Sequence, residues 1–224
     1  DVKMYIDGVY VAYSTSVTSF NRMFLGDAWG DGKSGTVYFD DIVVRDELTF
    51  KLPLFWDGFE NGFANWLPQN GAPLTSTLQK YNMNYSYALD QDQDSILHGM
   101  SSNTNKVAVV WFYDDAVDTS MTAVAFVDDS VTLTALGVVT ATSSANYIYR
   151  VGGAWIASTI PRTTGWHKLT FDYRSGTDVK LYIDGTLVAT STASTFFKRI
   201  YLGDAWGGST GNVYFDDVSV QDNL

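Results

Sequence analysis

Apolar and polar residues alternate along most of this chain, and the alternation breaks wherever Gly, Asp, Asn and Ser cluster. At the start, Val2, Met4 and Ile6 share one face. Asp7-Gly8 supplies the residue types a tight hairpin turn needs, and Val9 to Ala12 runs back. Further strands are predicted at 106–113, 122–127, 131–139, 146–151 and 154–159, each rich in β-branched or aromatic residues and bounded by Asp, Ser or Gly. In T-T-G-W-H-K-L-T-F-D-Y the same period puts His167, Leu169, Phe171 and Tyr173 on one face, with Trp166 and Lys168 on the other. His167 is therefore expected to pack in the interior or to bond a backbone carbonyl. No segment sustains a helical period. The expected architecture is all-β, an antiparallel β-sandwich.

One pattern occurs twice. Residues 1–48 read D-V-K-M-Y-I-D-G … F-L-G-D-A-W-G … V-Y-F-D-D-I-V-V, and residues 178–224 read D-V-K-L-Y-I-D-G … Y-L-G-D-A-W-G … V-Y-F-D-D-V-S-V. About three positions in five are identical, which marks an internal repeat. In both copies the apolar phase slips by one residue at an Asp-Asp pair, Asp40-Asp41 and Asp216-Asp217. A slip inside a strand predicts a β-bulge. We therefore expect residues 1–48 to be the C-terminal half of a repeated module, 49–53 a linker and 54–224 a complete module. The first 48 residues hold roughly four strands, too few to bury two sheet faces by themselves. The simplest expectation is a longer array of near-identical modules, with strand donation between subunits as a special case. The alternative is that residues 1–48 dock an edge on the complete module. Asp1 in place of Met suggests a processed product or a fragment.

Composition narrows the partners. The 224 residues carry a net charge of −11, and the 14 basic residues are scattered. A phosphate backbone is a poor match for that surface, so no nucleic-acid partner is expected. No apolar run approaches the ~18 residues a membrane span needs, so no insertion is expected. The chain has no Cys, hence no disulfide, thiolate metal site or Cys nucleophile. An acidic, Cys-free chain rich in Tyr and Thr fits an extracellular or cell-surface protein of a prokaryote.

The motifs F-E-N-G-F-A-N-W, G-W-H-K-L-T-F-D-Y, V-K-L-Y-I-D-G-T-L-V and G-N-V-Y-F-D-D-V-S-V, in that order, resemble the concanavalin A-like, laminin-G-like jelly-roll modules of bacterial and archaeal surface proteins. The resemblance covers residues 54–224 and, as a partial copy, 1–48. It implies a jelly roll and a structural Ca²⁺ between an early acidic residue and the terminal Asp-Asp pair. Here that means Glu60 and Asp217, with Asp57 and Asp216 next. A bulge frees carbonyl oxygens that a hard cation takes. Equally, these carboxylates could only solvate a strand end. Asp90, Asp92 and Asp94 also alternate, but they lack the Gly and bidentate Glu of a calcium loop, and a solvated turn is expected there.

Sugar binding needs exposed aromatic platforms beside hydrogen-bonding groups. The candidates are Trp206 with Asp204 in G-D-A-W-G-G (Trp206 repeating as Trp29), and Tyr147, Tyr149, Arg150 and Trp155 on adjacent strands. Against them stand core-capping for the Trp and cross-strand packing for the two Tyr. No nucleophile or metalloprotease motif occurs, and nothing selects two carboxylates for glycoside hydrolysis, so no enzymatic activity is expected. The resulting expectation is a non-catalytic structural repeat of a surface layer or filament, partnered by neighbouring copies of itself. The alternative is a carbohydrate-binding module that anchors an enzyme or a cell to polysaccharide.

Overall fold

The structure, a computed structural model, describes residues 53–89, 94–117, 121–128, 132–204 and 213–222, together with the backbone of 2–6 and 9–14. The chain divides into two compact units, Asp1–Leu52 and Pro53–Leu224. Asp40, Asp41, Trp29, Asp90, Asp92 and Trp206 lie outside the described residues.

In the first unit β1 (Val2–Ile6) and β2 (Val9–Ser14) pair antiparallel, with Ile6 opposite Val9 and Val2 opposite Ser14. The second unit opens with β3 (Phe55–Asp57), β4 (Leu67–Asn70), β5 (Leu74–Ser76), β6 (Ser86–Leu89) and β7 (Ser95–Asn103). The middle of the unit is β8 (Lys106–Asp114), β9 (Met121–Val127), β10 (Leu133–Val139), β11 (Asn146–Val151), β12 (Ile156–Pro161) and β13 (Gly165–Asp172). It closes with β14 (Val179–Ile183), β15 (Thr186–Ser191), β16 (Phe197–Gly203) and β17 (Val213–Asp222). No helix occurs among the described residues.

The fifteen strands among the described residues of this unit form two antiparallel sheets. One runs β12-β11-β10-β9-β16-β7-β4. The other runs β15-β14-β13-β8-β17-β6-β5, with β3 also pairing β17. The alternating pattern explains why they stack. In β8 Ala108, Val110 and Phe112 are buried, while Val107, Val109, Trp111 and Tyr113 between them are half-buried. In β13 His167, Leu169 and Phe171 are buried, as the period predicts. These meet Val124, Phe126, Leu136, Ile200 and Leu202 of the facing sheet in one continuous core. The result is a jelly-roll sandwich of the concanavalin A-like type.

The C-terminal stretch closes both sheets. β16 lies between β9 and β7 in one, and β17 lies between β8 and β6 in the other. The predicted bulge at Asp216-Asp217 is present. The β17–β8 register shifts between Asp216 and Ser219, and Asp217 adopts a left-handed φ of 44°.

Several details differ from the pattern. β4, β5 and β7 were not legible, because the first two are short polar edge strands and β7 does not alternate. The strand expected at 154–159 starts at Ile156 and runs on to Pro161. This is tolerated because β12 is an edge strand that need not supply every N–H. Asp94 does not solvate a turn. It is fully buried, with Oδ1 accepting the Ala72 N–H at 3.1 Å and its carbonyl accepting the Asp204 N–H at 2.8 Å.

Candidate functional site

The four sugar-site candidates on adjacent strands do not share a face. Tyr147 is 1% exposed, joins the core and donates its hydroxyl to the Thr163 carbonyl at 3.2 Å. Burial pushes its phenol well above the ordinary range, with the Asp114 carboxylate adding to the shift. Tyr149 is half-buried and packs against the same core. Neither is a platform, because both fall on the inward phase of β11. Asp204, at the end of β16, is also fully buried.

Arg150 and Trp155 take the outward phase instead. The Arg150 guanidinium lies 5.4 Å from the Trp155 ring centroid, and its Nε donates to the Gly152 carbonyl at 2.8 Å. A row of paired residues crosses the sheet from there: Arg150, Ala135, Ala125, Tyr201, Leu97. Between Arg150 and Tyr201 lie three strand spacings, about 14 Å. The floor between them is built of small side chains, Ala123, Ala125 and Ala135, flanked by Val127 and Leu133. Trp155 and Tyr201 pack onto it. Gly137 extends this floor. A Cβ there would come within 2.2 Å of the Thr122 carbonyl oxygen, so the strands approach too closely for any side chain. The floor itself is buried, with Ala125 and Ala135 at 0% exposure, so a ligand would meet the half-buried Trp155, Arg150 and Tyr201 that lie over it; aromatic rings and a guanidinium can stack on a pyranose face and hydrogen-bond its rim. No outward position of these rows is Asp or Glu among the described residues. The sequence reading missed Tyr201. Its signal was the alternation of Arg199, Tyr201 and Gly203 against Ile200 and Leu202.

A second aromatic cluster covers the outer face of the other sheet, and it too was missed. Tyr81 stacks on Trp111 at 3.7 Å and 15°. Trp166 meets both Tyr81 and Tyr113 edge-on, and Tyr113 meets Tyr214. Trp111 and Tyr113 alternate with the core residues of β8, which was the available signal. Here the rings largely satisfy one another, with Tyr81 covering Trp111.

Tyr81 begins the loop on which the metal candidates converge. Asp216, buried, accepts the N–H groups of Tyr81 at 2.9 Å, Asn82 at 3.1 Å and Asp217 at 2.7 Å. Burial outweighs those amides and pushes its carboxyl up to about 6. Asp217 Oδ2 accepts the Asn82 amide at 3.3 Å. From the other side Glu60 accepts the N–H groups of Asn84 at 2.7 Å and Tyr85 at 2.8 Å. Burial raises its carboxyl, but the Tyr85 and Asn84 donors outweigh this and leave it below the usual range. Asp57 stands apart. Its oxygens accept the Phe59 N–H at 2.7 Å, the Asn65 amide at 3.0 Å and the Trp66 indole N–H at 2.9 Å, so it braces the turn after β3. Three carboxylates and two Asn side chains around one loop are the donor types a hard cation takes. Among the described residues, however, no three acidic or His side chains converge closely enough to hold an ion.

Both histidines serve the fold. His167 bonds Asp184 through Nδ1 at 2.7 Å and the Thr163 carbonyl through Nε2 at 2.9 Å. His98 bonds the Asn65 carbonyl at 2.7 Å and stacks on Phe55. No helix of the described residues is long and apolar enough to cross a membrane.

A family described as the concanavalin A-like lectin/glucanases superfamily matches residues 85–224. No curated protein sequence matches the chain. Among solved structures, the chain resembles domain 4 of AbnA, a GH43 extracellular arabinanase from Geobacillus stearothermophilus, in complex with arabinotriose. That match has 16% identity and a TM-score of 0.56, over 75% of this chain and 91% of that one. The cellulose induced protein Cip1 matches at 15% identity and a TM-score of 0.57, over 75% and 97%. The Crh5 transglycosylase in complex with NAG matches at 15% identity and a TM-score of 0.51, over 76% and 84%. At such identities the likeness shows the fold, which carbohydrate-active proteins share.

Proposed function

The chain belongs to the concanavalin A-like lectin/glucanase superfamily, and from that premise we propose that it is a non-catalytic extracellular module that binds carbohydrate. The observation that carries this reading is the outer face of the seven-stranded sheet, where Trp155 with Arg150 and Tyr201 flank the alanine floor. The AbnA domain, with its arabinotriose, makes a short pentose or hexose oligomer the first ligand to try. Binding rather than turnover is favoured because glycoside hydrolysis uses two carboxylates, and the outward positions of these rows supply none among the described residues. Calorimetry with arabino- and cello-oligosaccharides tests the reading. Trp155→Ala and Tyr201→Ala should each weaken binding by about tenfold or more, roughly 1.4 kcal/mol. Trp111→Ala on the opposite sheet should leave it unchanged. Binding indifferent to Trp155 and Tyr201 overturns the site.

A second reading concerns assembly. The β1–β2 hairpin has the register of β14–β15 pair for pair. That supports residues 1–48 as the closing half of a second module, and the protein as a structural repeat that assembles module to module at a cell surface. Calcium fits this reading as a stabiliser. Glu60, Asp217 and the loop of residues 79–85 would hold it, with Asp216 positioning the loop through its amide bonds. The ion would neutralise Glu60 and Asp217, which both accept hydrogen bonds from that loop.

A further inference from the structure

The outer face of the eight-stranded sheet carries more aromatic side chains than those that satisfy one another. On β3 Phe55 and Asp57 are buried, while Trp56 between them takes the outward phase, opposite Ser219, and is 45% exposed. Strand pairing carries its row across the sheet as Trp56, Ser219, Val109, Thr170, Tyr182. Ser219 is buried, and Val109, Thr170 and Tyr182 are half-buried. Four strand spacings, about 19 Å, separate Trp56 from Tyr182. Two large rings thus bound a low stretch of Ser, Val and Thr.

The neighbouring rows add rings and little charge. Trp111 pairs Lys168 and the buried Asp216, and Tyr113 pairs Trp166 and Tyr214. Tyr81 stacks on Trp111 and is itself 43% exposed. The chain has a net charge of −11, yet Lys168 is the one charged side chain that these three rows expose. A charged protein surface finds little to pair with here, and an anionic polymer is repelled by the chain as a whole. Ring faces beside hydroxyl groups suit an uncharged partner that is itself rich in hydroxyls.

We propose that this face is a second carbohydrate surface, which takes a neutral polysaccharide laid across the sheet from Trp56 to Tyr182. Its sugar rings stack on those two side chains, and its hydroxyls bond Thr170 and Lys168. A single stacked ring holds weakly, and rings this far apart are engaged together only by a chain of several sugars. The surface therefore selects polymer, by linking weak contacts, where the Trp155 and Tyr201 face takes short oligomers. The two faces lie on opposite sheets and stand or fall separately.

Co-sedimentation of the full chain with insoluble cellulose, chitin, xylan and mannan tests this. At least one of these polymers should retain the protein. Trp56→Ala with Tyr182→Ala should weaken that retention about tenfold or more, while calorimetric binding of short oligosaccharides stays unchanged. Thr170→Arg, which sets a charge on the low stretch and leaves both rings in place, should weaken retention as well. Retention on none of these polymers, or retention indifferent to all three positions, overturns the second surface. Retention that depends instead on Trp155 and Tyr201 places the polymer on the first face and overturns it too. Retention that depends on Trp56, with calorimetry indifferent to Trp155 and Tyr201, supports this surface and sinks the first. Self-association that Trp56→Ala abolishes, without retention on any polymer, assigns the face to a protein partner and overturns the proposal.

Discussion

Tyr147 and Trp155 show how one residue of phase decides a role. Tyr147 lies on the inward side of β11, and Tyr147→Ala is expected to cost about 3–5 kcal/mol in denaturant unfolding, the range for emptying a large aromatic from a core. Trp155 rests on the outer floor, so its removal should act mainly on ligand binding. A Trp155→Ala variant that is as unstable as Tyr147→Ala would show that the ring is structural. A further single-residue effect concerns pH. The forked bond from Arg174 holds the Asp172 carboxyl below its usual range, and burial only partly opposes this. The folded protein therefore binds that proton less readily than the unfolded chain. The pair's stabilisation is present above the ordinary aspartate range near 3.8 and is lost as pH falls through the lowered value. Because Arg174 is exposed, Arg174→Ala should cost no more than about 1 kcal/mol at pH 7, and the difference should shrink as acid titrations of stability pass below the ordinary aspartate range.

Between elements, two polar links matter most. Arg162 donates to both oxygens of Asp114 at 2.8 and 2.9 Å, tying the end of β8 to the segment between β12 and β13, and both side chains are buried. Removing one partner strands a buried charge. Arg162→Ala is therefore expected to lower the unfolding free energy by about 3–5 kcal/mol. The β14–β15 turn is the other link. Asp184 and Gly185 have φ of 49° and 77°, the left-handed pair that a two-residue hairpin turn requires. Asp184 also accepts the Lys168 N–H at 2.8 Å, so the turn is fastened to β13. Gly185→Val should destabilise by about 1–3 kcal/mol, since a β-branched residue is strained at this φ, while Asp184→Asn should be milder. Equal losses in thermal melts would mean that the carboxylate, not the backbone, carries the turn.

At the scale of the molecule, closure depends on long-range contacts. β17 ends the described chain yet pairs β8, β6 and β3, and its Asp216 holds the loop at Tyr81 and Asn82. An ion at Glu60 and Asp217 would tie the start of the module to its end. If it binds, saturating Ca²⁺ should raise the melting temperature by about 5–10 °C, the effect of a ligand at roughly a hundred times its Kd on a domain of this size. Glu60→Gln with Asp217→Asn should abolish that rise. A melting temperature indifferent to both Ca²⁺ and chelator would leave the three carboxylates as fasteners of the loop.

By itself the sequence determined what is local or periodic. Alternation placed the core of β8 and β13, Asp-Gly marked the hairpin turn, the phase slip at Asp216-Asp217 marked the bulge, and self-similarity exposed the repeated hairpin. These are properties of neighbouring residues, set by the strand's two-residue period and by backbone sterics. Tertiary structure decided what depends on which strands become neighbours. It separated Arg150 and Trp155 from Tyr147 and Tyr149 and brought Tyr201 beside the first pair. It turned Asp94 inward and assigned Asp57 to bracing a turn. Period alone says that two faces exist, and only the stacking of the second sheet says which of them is inside.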